Sequence, residues 1–183
     1  MGFNRERLLE FLHDLDGMLP SPIEVILIGG SALNYLDLKD DTKDVDFFYS
    51  GMEIDDLYAI TQELSKKYNS RIDFWTTEEM VLLKDGRINT QKLPTDYISM
   101  CFEAEEPLER IKLKILNPID VVLTKVDRLS ERDMDDITKL VNHYHIPRET
   151  LEERFKLYLA GYDGNKTKRE VNFKEMISTI FGN

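Results

Sequence analysis

Apolar positions recur along the chain at two periods, and the switches between them lay out its elements. Leu8, Leu9, Phe11, Leu12, Leu15 and Met18 fall at helical spacing, predicting an amphipathic helix over residues 4–17 that Pro20 and Pro22 end. Residues 25–28, Val-Ile-Leu-Ile, form a short unbroken apolar run rich in β-branched side chains, the pattern of a strand covered on both faces. Gly29 and Gly30 follow at once, and Ser31 is the expected N-cap of a helix through Leu36. A second strand opens at Asp44-Val45-Asp46. Residues 54–68 predict a helix with Leu57, Tyr58, Ile60, Leu64 and Tyr68 inward, and residues 71–75 a third strand.

Further on, residues 78–83 predict a short helix and residues 84–87, Lys-Asp-Gly-Arg, a turn. Residues 97–102 and 110–116 predict two more strands, the latter alternating Ile111, Leu113 and Ile115 with Lys112 and Lys114. Asn117 and Pro118 then start a helix as cap and first-turn residue. Ser130 starts another, residues 148–159 a third, and the tail carries Val171, Phe173, Met176, Ile177, Ile180 and Phe181, which can dock on the body or on a partner. The sum is an α+β chain with a mixed sheet of about five strands flanked by helices. Residues 1–116 form the expected core and residues 117–183 a helical part packed on it.

Composition narrows the function. With 183 residues, 42% hydrophobic and 32% charged, the chain has the make-up of an ordinary globular protein with a sizeable core. A net charge of −11 weighs against binding nucleic acid by bulk electrostatics, although Lys166, Lys168, Arg169 and Lys174 form one local basic cluster. Cys101 is the lone cysteine, so no disulfide closes within the chain and no thiolate zinc cluster forms. His143 and His145 lack the i,i+4 spacing of zinc helices, and His13 reads as structural. No apolar run approaches ~20 residues, and the charged, amphipathic start lacks a signal peptide's apolar segment, so a cytoplasmic, membrane-free protein is expected. Neither G-x-x-x-x-G-K-[ST] nor G-x-G-x-x-G occurs, which excludes P-loop and Rossmann readings.

The chemistry concentrates between residues 25 and 49. A glycine turn feeding a helix start lets backbone N–H groups approach a phosphate, though the same turn also serves as a plain strand-to-helix connection. Asp44 and Asp46, at i and i+2 on a strand, project to one face, and paired hard oxygens suit Mg²⁺ held together with substrate phosphates. The competing reading is a solvated acidic strand start, since Asp37, Asp40 and Asp41 lie just before it.

Together, Gly29-Gly30-Ser31 followed by Asp44-Val45-Asp46 resembles the signature of the nucleotidyltransferase superfamily of DNA polymerase β. Thr42, two residues ahead of Asp44, brings the pattern close to bacterial abortive-infection toxin nucleotidyltransferases. The resemblance implies that Gly29, Gly30, Ser31 and Thr42 hold a nucleoside triphosphate, that Asp44 and Asp46 bind Mg²⁺ or Mn²⁺, and that Asp73 is a third catalytic carboxylate. LTKVDRLSERDMDDI (residues 123–137) is similar to a later motif of the same proteins, which would set Lys125 on the triphosphate and have Asp133 or Asp136 complete or orient the site. The implied reaction moves a nucleoside monophosphate to an acceptor hydroxyl of a tRNA, protein or small molecule, as part of a toxin–antitoxin-type system. The alternative is a non-catalytic module of that fold which binds a nucleotide or a protein partner.

Overall fold

The computed structural model describes residues 2–77, 93–160 and 165–182. The expected helix at 78–83 and the turn at 84–87 lie outside these. In chain order the elements are α1 (Arg5–Met18), β1 (Ile23–Leu27), α2 (Gly29–Tyr35), β2 (Val45–Ser50), α3 (Ile54–Tyr68) and β3 (Ile72–Thr76). They continue with α4 (Tyr97–Met100), β4 (Phe102–Glu103), β5 (Ile111–Ile115), α5 (Pro118–Lys125), α6 (Glu131–Tyr144), α7 (Arg148–Ala160) and α8 (Lys166–Phe181). The described residues divide into two compact units, one of residues 2–77 and 101–116, the other of 93–100, 117–160 and 165–182. The expected division at 116/117 therefore needs one amendment: residues 93–100 belong with the helical unit.

The first unit is built on a five-stranded mixed sheet in the order β3-β2-β1-β5-β4. β1 runs antiparallel to β2 and parallel to β5, while β2 and β3 are parallel and β4 is antiparallel to β5. One face carries Val25, Leu27, Val45, Phe47, Tyr49, Ile72, Phe74 and the apolar positions of β5, all buried. α1 contributes Leu8, Phe11, Leu12 and Leu15 to the core, and Phe3 and Phe11 contact Tyr68 of α3. On α3 the inward set is Leu57, Thr61, Leu64 and Tyr68; Tyr58, expected inward, is exposed.

A carboxylate ties α1 to the sheet. Asp16 sits in the last turn of α1, where the helix dipole disfavours negative charge. Its oxygens accept hydrogen bonds from the backbone N–H groups of Glu109 (3.0 Å), Arg110 (2.7 Å) and Ile111 (2.8 Å), at the entrance to β5. Burial alone would raise its pKa, but these donors and the Arg110 charge outweigh it and hold the carboxyl below its usual value.

The second unit is helical. Ser130 and Asp133 form a reciprocal capping box at the start of α6, and Asn117 caps α5 through the N–H of Ile119. The expected strand over 97–102 is corrected: Tyr97–Met100 is one helical turn, and only Phe102–Glu103 is strand. The apolar run there loses to local hydrogen bonds, since Ser99 Oγ donates to the Asp96 carbonyl (2.7 Å) and the Tyr97 N–H to that of Pro94 (3.0 Å). The tail forms α8, which packs on α7 through stacked Phe155 and Phe173. Arg169, counted above in a basic surface cluster, is buried, ion-paired with Asp127 and set over the Tyr158 ring.

Candidate active site

Asp46 is held from both sides by the turn that precedes α2. Its N–H donates to Ser31 Oγ (2.9 Å), and its carbonyl accepts from the N–H of Ile28 (3.1 Å). Ser31 is therefore not the N-cap expected from sequence. α2 already begins at Gly29, with Ile28 in the cap position, and the fully buried serine fastens the turn to β2.

The two glycines answer different demands, a positive φ at Gly29 and a close approach at Gly30. Gly29 has φ +53°, and a Cβ there would lie 3.4 Å from Asp46 Oδ2. A Cβ on Gly30 would lie 2.4 Å from Thr42 Oγ1, closer than packing tolerates. Thr42 in turn donates from Oγ1 to the Asp44 carbonyl (3.2 Å), and its backbone bridges to Phe3. The glycine turn, Thr42 and the aspartate strand thus form one interlocked block.

Asp73 falls into register with Asp46. β2 and β3 are parallel, and Asp46 is paired directly with Asp73. Paired residues on adjacent strands share a face, so Asp46 and Asp73 stand on the same side of the sheet, while Asp44, expected to open the strand, lies in the bend just before Val45, where β2 begins. One pleat further, Phe48 pairs with Trp75 and their rings meet edge to face at 6.1 Å. The Trp75 indole nitrogen is buried and has no hydrogen-bond partner among the described residues.

One residue that the sequence reading passed over is central here. Arg71 stands at the entrance to β3, its Nε 2.7 Å from Asp73 Oδ2 and an Nη 3.2 Å from Asp44 Oδ2. A single guanidinium therefore spans two of the three carboxylates. Its spacing two residues before Asp73, on the same strand face, was the available signal.

The donor set suits a hard divalent cation: oxygen ligands only, on rigid backbone, in strand register. Among the described residues no three His, Cys, Asp or Glu side chains already converge as a metal cage. A Mg²⁺ ion needs only one or two carboxylates once phosphates and water complete its shell.

Lys125 belongs to the helical unit. It is buried, with Nζ 2.8 Å from Asp136 Oδ2 and 3.7 Å from Asp133 Oδ1. Burial would raise the Asp133 pKa, but hydrogen bonds from Arg128 and Ser130 and the Lys125 charge together hold it far below its usual value. Lys125, Asp133 and Asp136 thus form a compensated ionic cluster that secures α5 to α6.

Comparison with known proteins places these features. A family described as nucleotidyltransferase of unknown function (DUF6036) matches residues 6–180. No curated protein matches. Among solved structures, an antigenic nucleotidyltransferase-like protein from Paracoccidioides brasiliensis is 14% identical over the whole of both chains, with a TM-score of 0.49. At that distance the likeness assigns no role to any residue.

Proposed function

We propose, from the premise that this chain belongs to that family of nucleotidyltransferases of unknown function, that it transfers a nucleoside monophosphate from a nucleoside triphosphate to an acceptor hydroxyl, releasing pyrophosphate. The observation that carries the reading is the register of Asp46 with Asp73, with Asp44 joined to Asp73 through Arg71 and the Gly29-Gly30 turn against Asp46. Asp44 and Asp46 would hold Mg²⁺ or Mn²⁺, which supplies charge neutralisation at the transferred phosphoryl group and its leaving group. Asp73 would accept the proton of the attacking hydroxyl or orient that hydroxyl. Gly29, Gly30 and Ser31 would let the triphosphate approach the backbone, with Thr42 holding the turn in place. The Phe48–Trp75 pair offers an aromatic wall on the same face, and the indole N–H a donor to a polar ligand.

The remaining residue, Lys125, fits nucleotide binding only if it leaves Asp136, so its part in this reading is subordinate. Where the acceptor is a macromolecule needed for growth, the protein would act as a toxin, and its expression would arrest growth unless Asp44 were replaced.

The test is calorimetric titration of ATP, GTP, CTP and UTP, each with and without Mg²⁺, into wild type and an Asp44→Asn/Asp46→Asn variant. Transfer of α-labelled nucleotide to acceptors in host extract is then followed. Metal-dependent binding and transfer, both lost in the variant, are expected. Equal binding or transfer by the variant would sink the reading.

A second reading has its own observation: Arg71 already neutralises two carboxylates and Lys125 is itself neutralised. A non-catalytic module that binds nucleotide or a protein partner would have such a self-compensated site. It predicts binding without turnover for every acceptor.

A further inference from the structure

Asp44 and Asp73 lie close enough to share one partner, and carboxylates so placed repel unless a cation lies between them. Arg71 is that cation. Its backbone is fixed, because its carbonyl accepts the N–H of Val45 at the mouth of the β2–β3 pair (3.0 Å). Its side chain is not enclosed: 60% of it is exposed while Asp73 beneath it is almost fully buried. Beside it opens a cleft of about 440 Å³ lined by Lys43, Asp44, Asn69, Ser70 and Arg71, among others. The side chain therefore has an anchored root, an exposed fork and space to turn into. A guanidinium fork matches phosphate oxygens as well as it matches carboxylate oxygens.

We propose that Arg71 is an exchangeable counter-ion of the carboxylate site. It bridges Asp44 and Asp73 before ligands bind, yields Asp44 to a divalent cation and Asp73 to the acceptor hydroxyl, and then binds the phosphates of the incoming nucleotide beside Lys43. The inference rests on the nucleotidyltransferase reading and adds to it a positioning residue with two opposed roles. Arg71 competes with metal for the Asp44 carboxylate, so that ion pair lowers metal affinity in proportion to its population. It also attracts the triphosphate, so its removal weakens nucleotide binding. A purely structural arginine would move both affinities in the same direction.

The test uses wild type, Arg71→Gln, Arg71→Lys, and the first two in an Asp46→Asn background. Mn²⁺ alone is titrated, with free ion read by electron paramagnetic resonance, and then each of the four nucleoside triphosphates with Mg²⁺ by calorimetry. Arg71→Gln is expected to bind Mn²⁺ at least fivefold tighter than wild type and Mg²⁺–nucleotide at least tenfold weaker. Arg71→Lys, which keeps the charge but not the fork, is expected to shift both in the same senses by less, and it carries the test if Arg71→Gln fails to fold. Mn²⁺ binding that is unchanged or weaker in both Arg71 variants, yet still abolished by Asp46→Asn, would overturn the exchange and leave the nucleotidyltransferase reading standing. Mn²⁺ binding that is absent throughout, or indifferent to Asp46→Asn, would overturn both.

Discussion

Gly30 offers the sharpest check on how the candidate site is assembled. In Gly30→Ala the new methyl would lie 2.4 Å from Thr42 Oγ1 and 3.2 Å from Thr42 Cβ. Threonine is branched at Cβ and stiff at χ1, so swinging the hydroxyl away costs its bond to the Asp44 carbonyl and repacks a buried side chain. Overpacking of this kind costs about 1–3 kcal/mol, and loss of the hydrogen bond about 1 kcal/mol. Thr42→Ala alone forfeits only the hydrogen bond and a methyl contact. In the double variant the 2.4 Å conflict is gone and only the 3.2 Å approach is left, so the two losses should not add. The expected coupling is about 1–2 kcal/mol in favour of the double variant. Urea unfolding of the four proteins measures it, with equal m-values as the sign that the end states are unchanged. In thermal melts Gly30→Ala should fall by roughly 4–8 °C. Additive losses, or a Gly30→Ala protein as stable as wild type, would show that glycine is not required there by Thr42.

Two further outcomes follow from the ionic contacts. Asp16→Ala removes the acceptor for three backbone N–H groups and should destabilise the protein by roughly 3 kcal/mol, read by urea unfolding. Because the folded Asp16 pKa lies below 3.8, its contribution is complete above that pH and is lost as pH falls further, so the stability deficit of Asp16→Ala should shrink below pH 3.8. A deficit independent of acid would refute this role. Lys125→Met strands Asp136 and part of Asp133 in a buried setting and should cost about 3–5 kcal/mol. Wild-type stability with lost nucleotide binding would instead make Lys125 a ligand rather than a brace.

Much of the site was legible because it rests on strand periodicity. The i,i+2 spacing of Asp44 and Asp46 and the apolar runs around them specify a face, and Asp73 falls on a later strand of the same kind. What the chain did not disclose is partnership. Arg71 reads as a strand-edge charge until β2 and β3 are aligned, and Ser31 reads as a cap until its hydroxyl is found on the Asp46 N–H. Arg169 reads as surface charge because no local pattern reveals that Asp127, forty-two residues earlier, meets it. Residues 97–102 misled in the opposite way: their mostly apolar run suggested a strand, while the polar groups at Asp96 and Ser99 closed a turn.

The strand order has a consequence for how the protein is born. β1 pairs with β2 about twenty residues later, but its other neighbour, β5, lies nearly ninety residues downstream. Synthesis at ~5–20 residues per second leaves that edge of β1 waiting on the order of ten seconds for its partner. Everything from the glycine turn to Asp73 has by then been made, so the carboxylate cluster and Arg71 can assemble on a half-built sheet. Meanwhile the open side of Val25, Ile26 and Leu27 is a template for any passing strand. Asp16, by gathering the N–H groups of residues 109–111, is the latch that captures β5 when it arrives. The nascent chain is therefore most exposed to misassembly after its chemistry is in place and before its sheet is closed.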